Sequence, residues 1–164
     1  MKSAARSAII IVVAMVLAEV MAGIRRQPGV RHSVLTPNMQ GLTAALAAPR
    51  ERWPDEIVVF AAASEAFSQR NINCTIADSI ERFAPVVAAA LAAGIAVRGA
   101  MSCTVGCPYE GEIAPERVAH LAGLMKGIGV QRVDVADTIG VGTPLKVQKA
   151  LEATLQHFDA ADIS

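Results

Sequence analysis

Ile57, Ile95 and Val133 follow one another at equal intervals of 38 positions (57 to 95 to 133), each within a short apolar run. The runs are Ile57-Ala61, Ile95-Val97 and Val133-Ala136, with a further candidate at Ser33-Leu35. An interval of that length accommodates a strand, a helix and two loops, and strands alternating with helices pair in parallel through right-handed crossovers. The spacing therefore predicts an α/β fold of about four βα units. Composition agrees, because 53% of the 164 residues are hydrophobic and only 18% charged. Parallel strands covered by helices read as nearly continuous apolar runs. So apolar a chain is not disordered. With 15 Lys and Arg against 15 Asp and Glu it has no basic surplus for neutralising phosphates, which argues against nucleic acid as a partner. A closed eight-unit barrel takes about 250 residues, so this chain forms at most part of one.

The intervening segments carry helix signals. Val118, Leu121, Ala122, Met125 and Ile128 mark one face, with Glu116, Arg117, His120 and Lys126 opposite. Pro115 suits a first helical turn, and Gly127 or Gly129 an end. Thr36-Pro37 and Thr143-Pro144 each offer a capping hydroxyl before a first-turn proline. A helix is expected over residues 77–93, capped by Thr75 and Asp78 and kinked by Pro85. Val147, Leu151, Leu155 and Phe158 are expected to form the buried stripe of the last helix.

Residues 1–20 stand apart from the domain at 21–164. Lys2 and Arg6 precede the apolar run Ser7-Ala18, a pattern like the start of a signal peptide, but no A-x-A cleavage site follows. The run is also short of the roughly 18 residues a spanning helix needs. Export or membrane tethering is the lesser alternative to a buried or foreign N-terminal segment. Three cysteines, Cys74, Cys103 and Cys107, make neither an even disulfide set nor a four-ligand zinc site. Reduced thiols near the core, and hence a cytoplasmic setting, are expected.

Polar residues gather where strands give way to loops: Asn38, then Ser64 and Glu65, then Arg98 and Ser102, then Asp137 and Thr138. Ligands of parallel α/β folds bind at that carboxyl edge. Arg98 can pair with a carboxylate through its planar fork. Asp137 can act as acid, base or orienting group, and Thr138 can donate to an anionic oxygen. Strand-end Asp and Thr also commonly cap loops. The turn Gly140-Val141-Gly142 can aim backbone N–H groups at a phosphate.

The loops Asn71-Ile72-Asn73-Cys74, Gly106-Cys107-Pro108-Tyr109-Glu110-Gly111 and Asp137-Thr138-Ile139-Gly140-Val141-Gly142-Thr143-Pro144 resemble those of hydroxymethylglutaryl-CoA lyases. Val34-Leu35-Thr36-Pro37-Asn38 and Ala62-Ala63-Ser64-Glu65 fit the same family in the same order, from about Val20 onward. The resemblance implies part of a TIM (β/α)8 barrel. It also implies a carbon-carbon lyase that splits 3-hydroxy-3-methylglutaryl-CoA into acetyl-CoA and acetoacetate, a step of leucine degradation and ketone-body metabolism. By position it assigns a catalytic role to Asp137 and acyl-CoA binding to Arg98, Thr138, Asn38 and Glu65. A family cofactor of Mg²⁺ or Mn²⁺ follows, yet the family's opening Arg-Asp strand and its His-x-His have no counterpart here. The histidines are His32, His120 and His157. Cys107 does not correspond to the family's catalytic cysteine, which lies in a later Gly-Gly-Cys-Pro-Tyr loop, and Ala100 stands where a Tyr is common. An incomplete catalyst truncated at both ends, self-associating as a homo-oligomer, is the expectation. A non-catalytic interaction module of the same fold is the alternative.

Overall fold

The computed structural model describes residues 19–164. The run Ser7-Ala18, and with it the choice between leader, anchor and buried segment, lies outside the described residues. No helix among the described residues is long and apolar enough to cross a membrane.

Strands β1 (Ser33–Leu35), β2 (Glu56–Ala62), β3 (Ala96–Ser102) and β4 (Arg132–Val135) form one sheet in the order β1-β2-β3-β4, every pair parallel. The register departs from the equal spacing: Ile57 lies beside Val97 and Val133 beside Gly99, and Ile95 precedes β3. The connecting helices are α1 (Met39–Leu46), α2 (Glu65–Ile72), α3 (Ile76–Ala92), α4 (Pro115–Gly127) and α5 (Pro144–Thr154). Helix α3 packs on β2 and β3, α4 on β3, and α5 on β4. Ile57, Val59, Val97, Met101 and Val133 meet Phe83, Val86, Val87, Val118, Leu121 and Met125 in one core. Gly99 marks the closest approach of sheet and helix, since a Cβ there would stand 2.6 Å from Met125 Sδ.

β3 shows how the sheet divides its two faces. Val97, Gly99 and Met101 are buried under helices, whereas Ala96, Arg98, Ala100 and Ser102 are half-buried on the other face. A doubly wound sheet reverses its strand order and carries helices on both faces. Sequential order with helices packed against one face is instead an arc of a (β/α)8 barrel. Ile163 and Ser164 prolong the arc: Ser164 N–H donates to Val133 O at 2.9 Å and Val135 N–H to Ser164 O at 2.8 Å, in parallel pairing.

Most helix ends follow the sequence. Thr75 Oγ1 accepts from Asp78 N–H at 3.0 Å and the Asp78 carboxylate accepts from Thr75 N–H at 3.3 Å, a reciprocal cap on α3. That helix continues through Pro85. Thr143 caps α5 by accepting from Lys146 N–H at 3.4 Å. Two expectations need correcting. Thr36 does not cap α1, because its N–H still pairs with Val58 O at 2.9 Å as a continuation of β1 and its buried hydroxyl bonds Val34 O. Asn38 is the cap, with Oδ1 accepting from Gly41 N–H at 2.9 Å. The apolar stripe of α5 is also rotated from expectation. Ala150, Ala153 and Thr154 are buried where α5 meets α4, and Phe158 closes the end, but Val147 is 37% and Leu155 48% exposed. Small side chains let the two helices pack closely, and that outweighs the bulkier residues.

Candidate functional site at the carboxyl ends of the strands

The chain leaves β3 through a strained residue. Cys103 has φ 59°, a left-handed conformation uncommon outside glycine. Its N–H donates to Thr138 Oγ1 at 2.7 Å, and next to it Thr104 Oγ1 donates to Ala136 O at 2.9 Å. These bonds stitch the loop after β3 to the loop after β4. Because Thr138 accepts the Cys103 N–H, its own hydroxyl proton stays available to a ligand oxygen.

The same loop folds back at Cys107, which pairs with Gly111 through two backbone hydrogen bonds of 2.8 and 3.0 Å. Cys107 Sγ lies 3.0 Å from Ser64 Oγ and accepts from Tyr109 N–H at 3.4 Å. Ser64 also caps α2 by accepting from Phe67 N–H at 3.0 Å, so its proton can go to the sulfur. Burial pushes the Cys107 thiol up, but hydrogen bonds from Ser64 and from the Tyr109 and Glu110 backbone outweigh it and hold the thiol below its ordinary value. For Cys103 burial wins: with Cys107 close by, its pKa rises to about 11. Glu110 accepts from Ala66 N–H at 2.8 Å and from Arg117 at 2.7 Å. The Ala66 bond is the main cause that holds its carboxyl below the usual range; burial opposes it, and the bond with Arg117 adds to it.

Asp137 sits at the head of the next loop and is exposed. Its carboxylate accepts from Gly142 N–H at 2.7 Å and Val141 N–H at 3.1 Å, and Gly140 makes the turn with φ +70°. The Gly142 bond is the main reason its pKa lies below the usual carboxylate range. The N–H groups that the sequence offered to a phosphate are therefore taken up by the chain's own anion. A Cβ on Gly142 would stand 2.8 Å from Asp137 Oδ2, so the turn closes tightly on the carboxylate.

The other residues read as candidates are placed differently. Glu65 accepts from Ile76 N–H at 3.1 and 3.4 Å, tying the start of α2 to the start of α3. Asn38 serves as the α1 cap described above. Arg98 is not at the strand end: it lies mid-strand, on the sheet face away from the helix core. There Nη1 donates to both Asp134 oxygens at 2.9 Å, and Nε lies 2.9 Å from Glu56 Oε2. Thus Asp137 and Thr138 meet the β3 loop, Ser64 and Glu65 adjoin Cys107 and Glu110, and Arg98 stands below them in a charge network of its own. Sequence reasoning missed the Ser64–Cys107 contact and the Cys103–Thr138 bond. The Gly-Cys-Pro-Tyr wording marked the loop, but only the fold brings it to Ser64 and Thr138.

A family model described as HMGL-like matches residues 15–164. A 3-hydroxy-3-isohexenylglutaryl-CoA/hydroxy-methylglutaryl-CoA lyase from Pseudomonas aeruginosa is 52% identical over 136 residues, covering 83% of this chain and 44% of the relative. The crystal structure of the HMG-CoA lyase from Brucella melitensis superposes with a TM-score of 0.83 at 51% identity, covering 89% of this chain and 50% of that one. An HMG-CoA lyase from Acinetobacter baumannii, solved in complex with coenzyme A and 3-methylmalate, gives a TM-score of 0.79 at 26% identity over 89% of this chain and 46% of that one. The chain thus spans about half the length of the relatives it matches.

Proposed function

Since the chain belongs to the HMGL-like family, we propose that it is a hydroxymethylglutaryl-CoA lyase-like protein supplying one wall of an acyl-CoA pocket. The reaction of that reading cleaves 3-hydroxy-3-methylglutaryl-CoA. A base takes the tertiary hydroxyl proton, the bond between C2 and C3 breaks, acetoacetate leaves as the ketone, and the thioester enolate takes up a proton to become acetyl-CoA. The cleavage would be a step of leucine degradation and ketone-body metabolism.

The observation carrying this reading is the strained Cys103 held to Thr138 beside the Asp137 turn, all at the edge of the barrel where such folds bind ligands. Thr138 has a hydroxyl proton to offer the thioester or carboxylate oxygen, and Asp137, with its lowered pKa, stays ionised at neutral pH. Glu65 and Asn38 act through the helix starts they hold, positioning the loops that face the ligand.

The family's divalent ion would stabilise negative charge developing on the reacting oxygens. Among the described residues no three His, Cys, Asp or Glu side chains come together to hold such an ion. Both Asp137 oxygens already accept backbone N–H groups. The residues present do not fit the metal, and no step through it is assigned to this chain. Weak binding of Mg²⁺ or Mn²⁺ by calorimetry is the corresponding expectation. Homo-oligomerisation belongs to the same proposal, as does a cytoplasmic setting, which the three free buried thiols support.

The test is titration with 3-hydroxy-3-methylglutaryl-CoA, together with an assay for acetoacetate in the presence of Mg²⁺. Binding that weakens in Thr138→Val, without turnover above background, is expected. Absence of any thioester binding would refute the pocket. Robust turnover lost in Asp137→Ala would show that the chain is a complete catalyst, which the proposal denies.

A further inference from the structure

The helix-free face of the sheet carries a second constellation, away from the strand-end loops. Glu56 in β2 is nearly fully buried, and Arg31, Arg98 and Arg132 approach it at 3.6, 2.9 and 3.9 Å. Ser33 Oγ donates to its Oε2 at 2.8 Å. Arg98 spans from Glu56 to Asp134 on the far strand. Three guanidinium groups thus face two carboxylates, a surplus of one positive charge. The fit is unequal on its two sides. Toward Asp134 Arg98 makes two hydrogen bonds of 2.9 Å. Toward Glu56 its Nε is close but misaligned, and among the described residues neither Arg98 Nε nor Glu56 Oε1 has a hydrogen-bond partner. Such orphaned buried polar atoms are rare in folded proteins, and each points to a group that another arrangement would satisfy.

The side chains of Arg98 and Asp134 are each 27% exposed, so the bond between them can be reached by a ligand on that face. A guanidinium fork recognises carboxylates by paired N–H donors, and here Nη1 alone spans both Asp134 oxygens, holding the arginine on a carboxylate that a ligand's could replace. We propose that Asp134 is a specificity-determining residue that competes with the carboxylate of a short acyl ligand for Arg98, setting how weakly this face binds such ligands. The carboxylate of an incoming ligand must displace Asp134, whose own anion then turns to solvent and to the Ser164 hydroxyl that already touches it. Asn at position 134 keeps the shape but withdraws the competing charge, leaving Arg98 to the ligand. The proposal rests on reading this face as part of an acyl-binding pocket.

The probe is free 3-hydroxy-3-methylglutarate, a diacid without CoA, titrated calorimetrically into the full chain and into Asp134→Asn, Arg98→Gln and the double variant. Asp134→Asn is expected to bind at least tenfold more tightly than the unaltered chain, and the gain is expected to vanish in the double variant. Asp134→Ser serves as a second route should the Asn variant fail to fold by circular dichroism. Unchanged or weaker affinity on neutralising Asp134 would overturn the proposal, as would Arg98 re-pairing with Glu56 so that no gain appears. A gain that survives Arg98→Gln would overturn it too. If Asp134→Asn tightens diacid binding while the CoA thioester does not bind at all, the lyase reading falls and this inference stands.

Discussion

Replacing Glu56 by Gln removes a buried charge while keeping the side chain's shape and its contact with Ser33, and should cost more stability than any surface substitution. Of its three cations, Arg31 and Arg132 are 56% and 37% exposed, so solvent screens them and they add little. The pair with Arg98 decides the magnitude, because Glu56 is only 3% exposed there and Arg98 27%. Removing one partner of a buried pair typically costs about 3–5 kcal/mol, since the other charge is left desolvated. Partial exposure of Arg98, and the pair it keeps with Asp134, place the expected loss at the lower end, about 3 kcal/mol. For a domain of this size each kcal/mol shifts Tm by about 2–4 °C, so a fall of roughly 6–12 °C is expected in a thermal melt. Replacing the whole linked set with apolar groups, Glu56→Leu and Arg98→Met together with Asp134→Leu, should return stability to within about 1 kcal/mol of the original, because neither carboxylate is then left without Arg98. Urea titration followed by circular dichroism measures both. A loss below about 1 kcal/mol in Glu56→Gln would mean that water reaches the carboxylate, and the reasoning from burial would be refuted.

Gly142→Ala should disorder the Asp137 turn, since its Cβ would fall 2.8 Å from Asp137 Oδ2 and 3.1 Å from Val147 Cγ2. Faster exchange of the Val141 amide and of the amide at position 142 in that variant is the readout, and unchanged protection would contradict it. Thr138→Val should cost about 1–3 kcal/mol by leaving the Cys103 N–H without its acceptor, measurable by urea titration. Thiolate absorbance should show Cys107 ionising before Cys103, with the step near pH 11 missing in Cys103→Ala. Because Cys103 is raised above the unfolded value of about 8.5, its contribution to stability is intact below that pH and is lost as pH climbs toward 11. Asp55 has the opposite sign. The His32 N–H, with further help from Arg26, lowers its pKa against burial, so its contribution is present above about pH 4 and is lost as pH falls through the lowered value, and Asp55→Asn should flatten acid unfolding.

The strands were legible because burial under helices demands apolar runs and a repeated unit demands roughly regular spacing: Ile57 lies in β2, Val133 in β4, and Ile95 immediately precedes β3. The cap on α3 was legible for a similar reason: Thr75 and Asp78 lie within one turn, so the interaction is local. What sequence could not show depends on contacts between distant positions. Thr36 and Asn38 both qualify as caps, and only the pairing of Thr36 with Val58 assigns the work to Asn38. The apolar residues of α5 suggested one buried face, but close packing against α4 favoured Ala150 and Ala153. Arg98 was legible as a carboxylate partner, but not which carboxylate. Asp134 lies 36 positions away, and nothing in either segment alone sets the register that aligns them.

Two anion receptors were readable in the sequence, the Gly140-Val141-Gly142 turn and the Arg98 fork, and in the fold each already holds a carboxylate from the same chain. Asp137 fills the turn, and Asp134 occupies the fork through Nη1. A receptor filled internally is ordered before any ligand arrives, which lowers the entropic cost of binding. It also makes binding an exchange, because a ligand anion gains only the difference between its own hydrogen bonds and those of the carboxylate it displaces. The two sites differ in what displacement leaves behind. Asp137 is exposed and returns to water, yet its departure frees the N–H groups that shape the loop, so a ligand there would have to rebuild the turn. Asp134 can leave without unfolding a loop, because β4 is held by its backbone pairing with β3. Ligand exchange is therefore easier at Arg98, and the Asp137 turn is better suited to holding Thr138 and Cys103 in place around whatever the pocket binds.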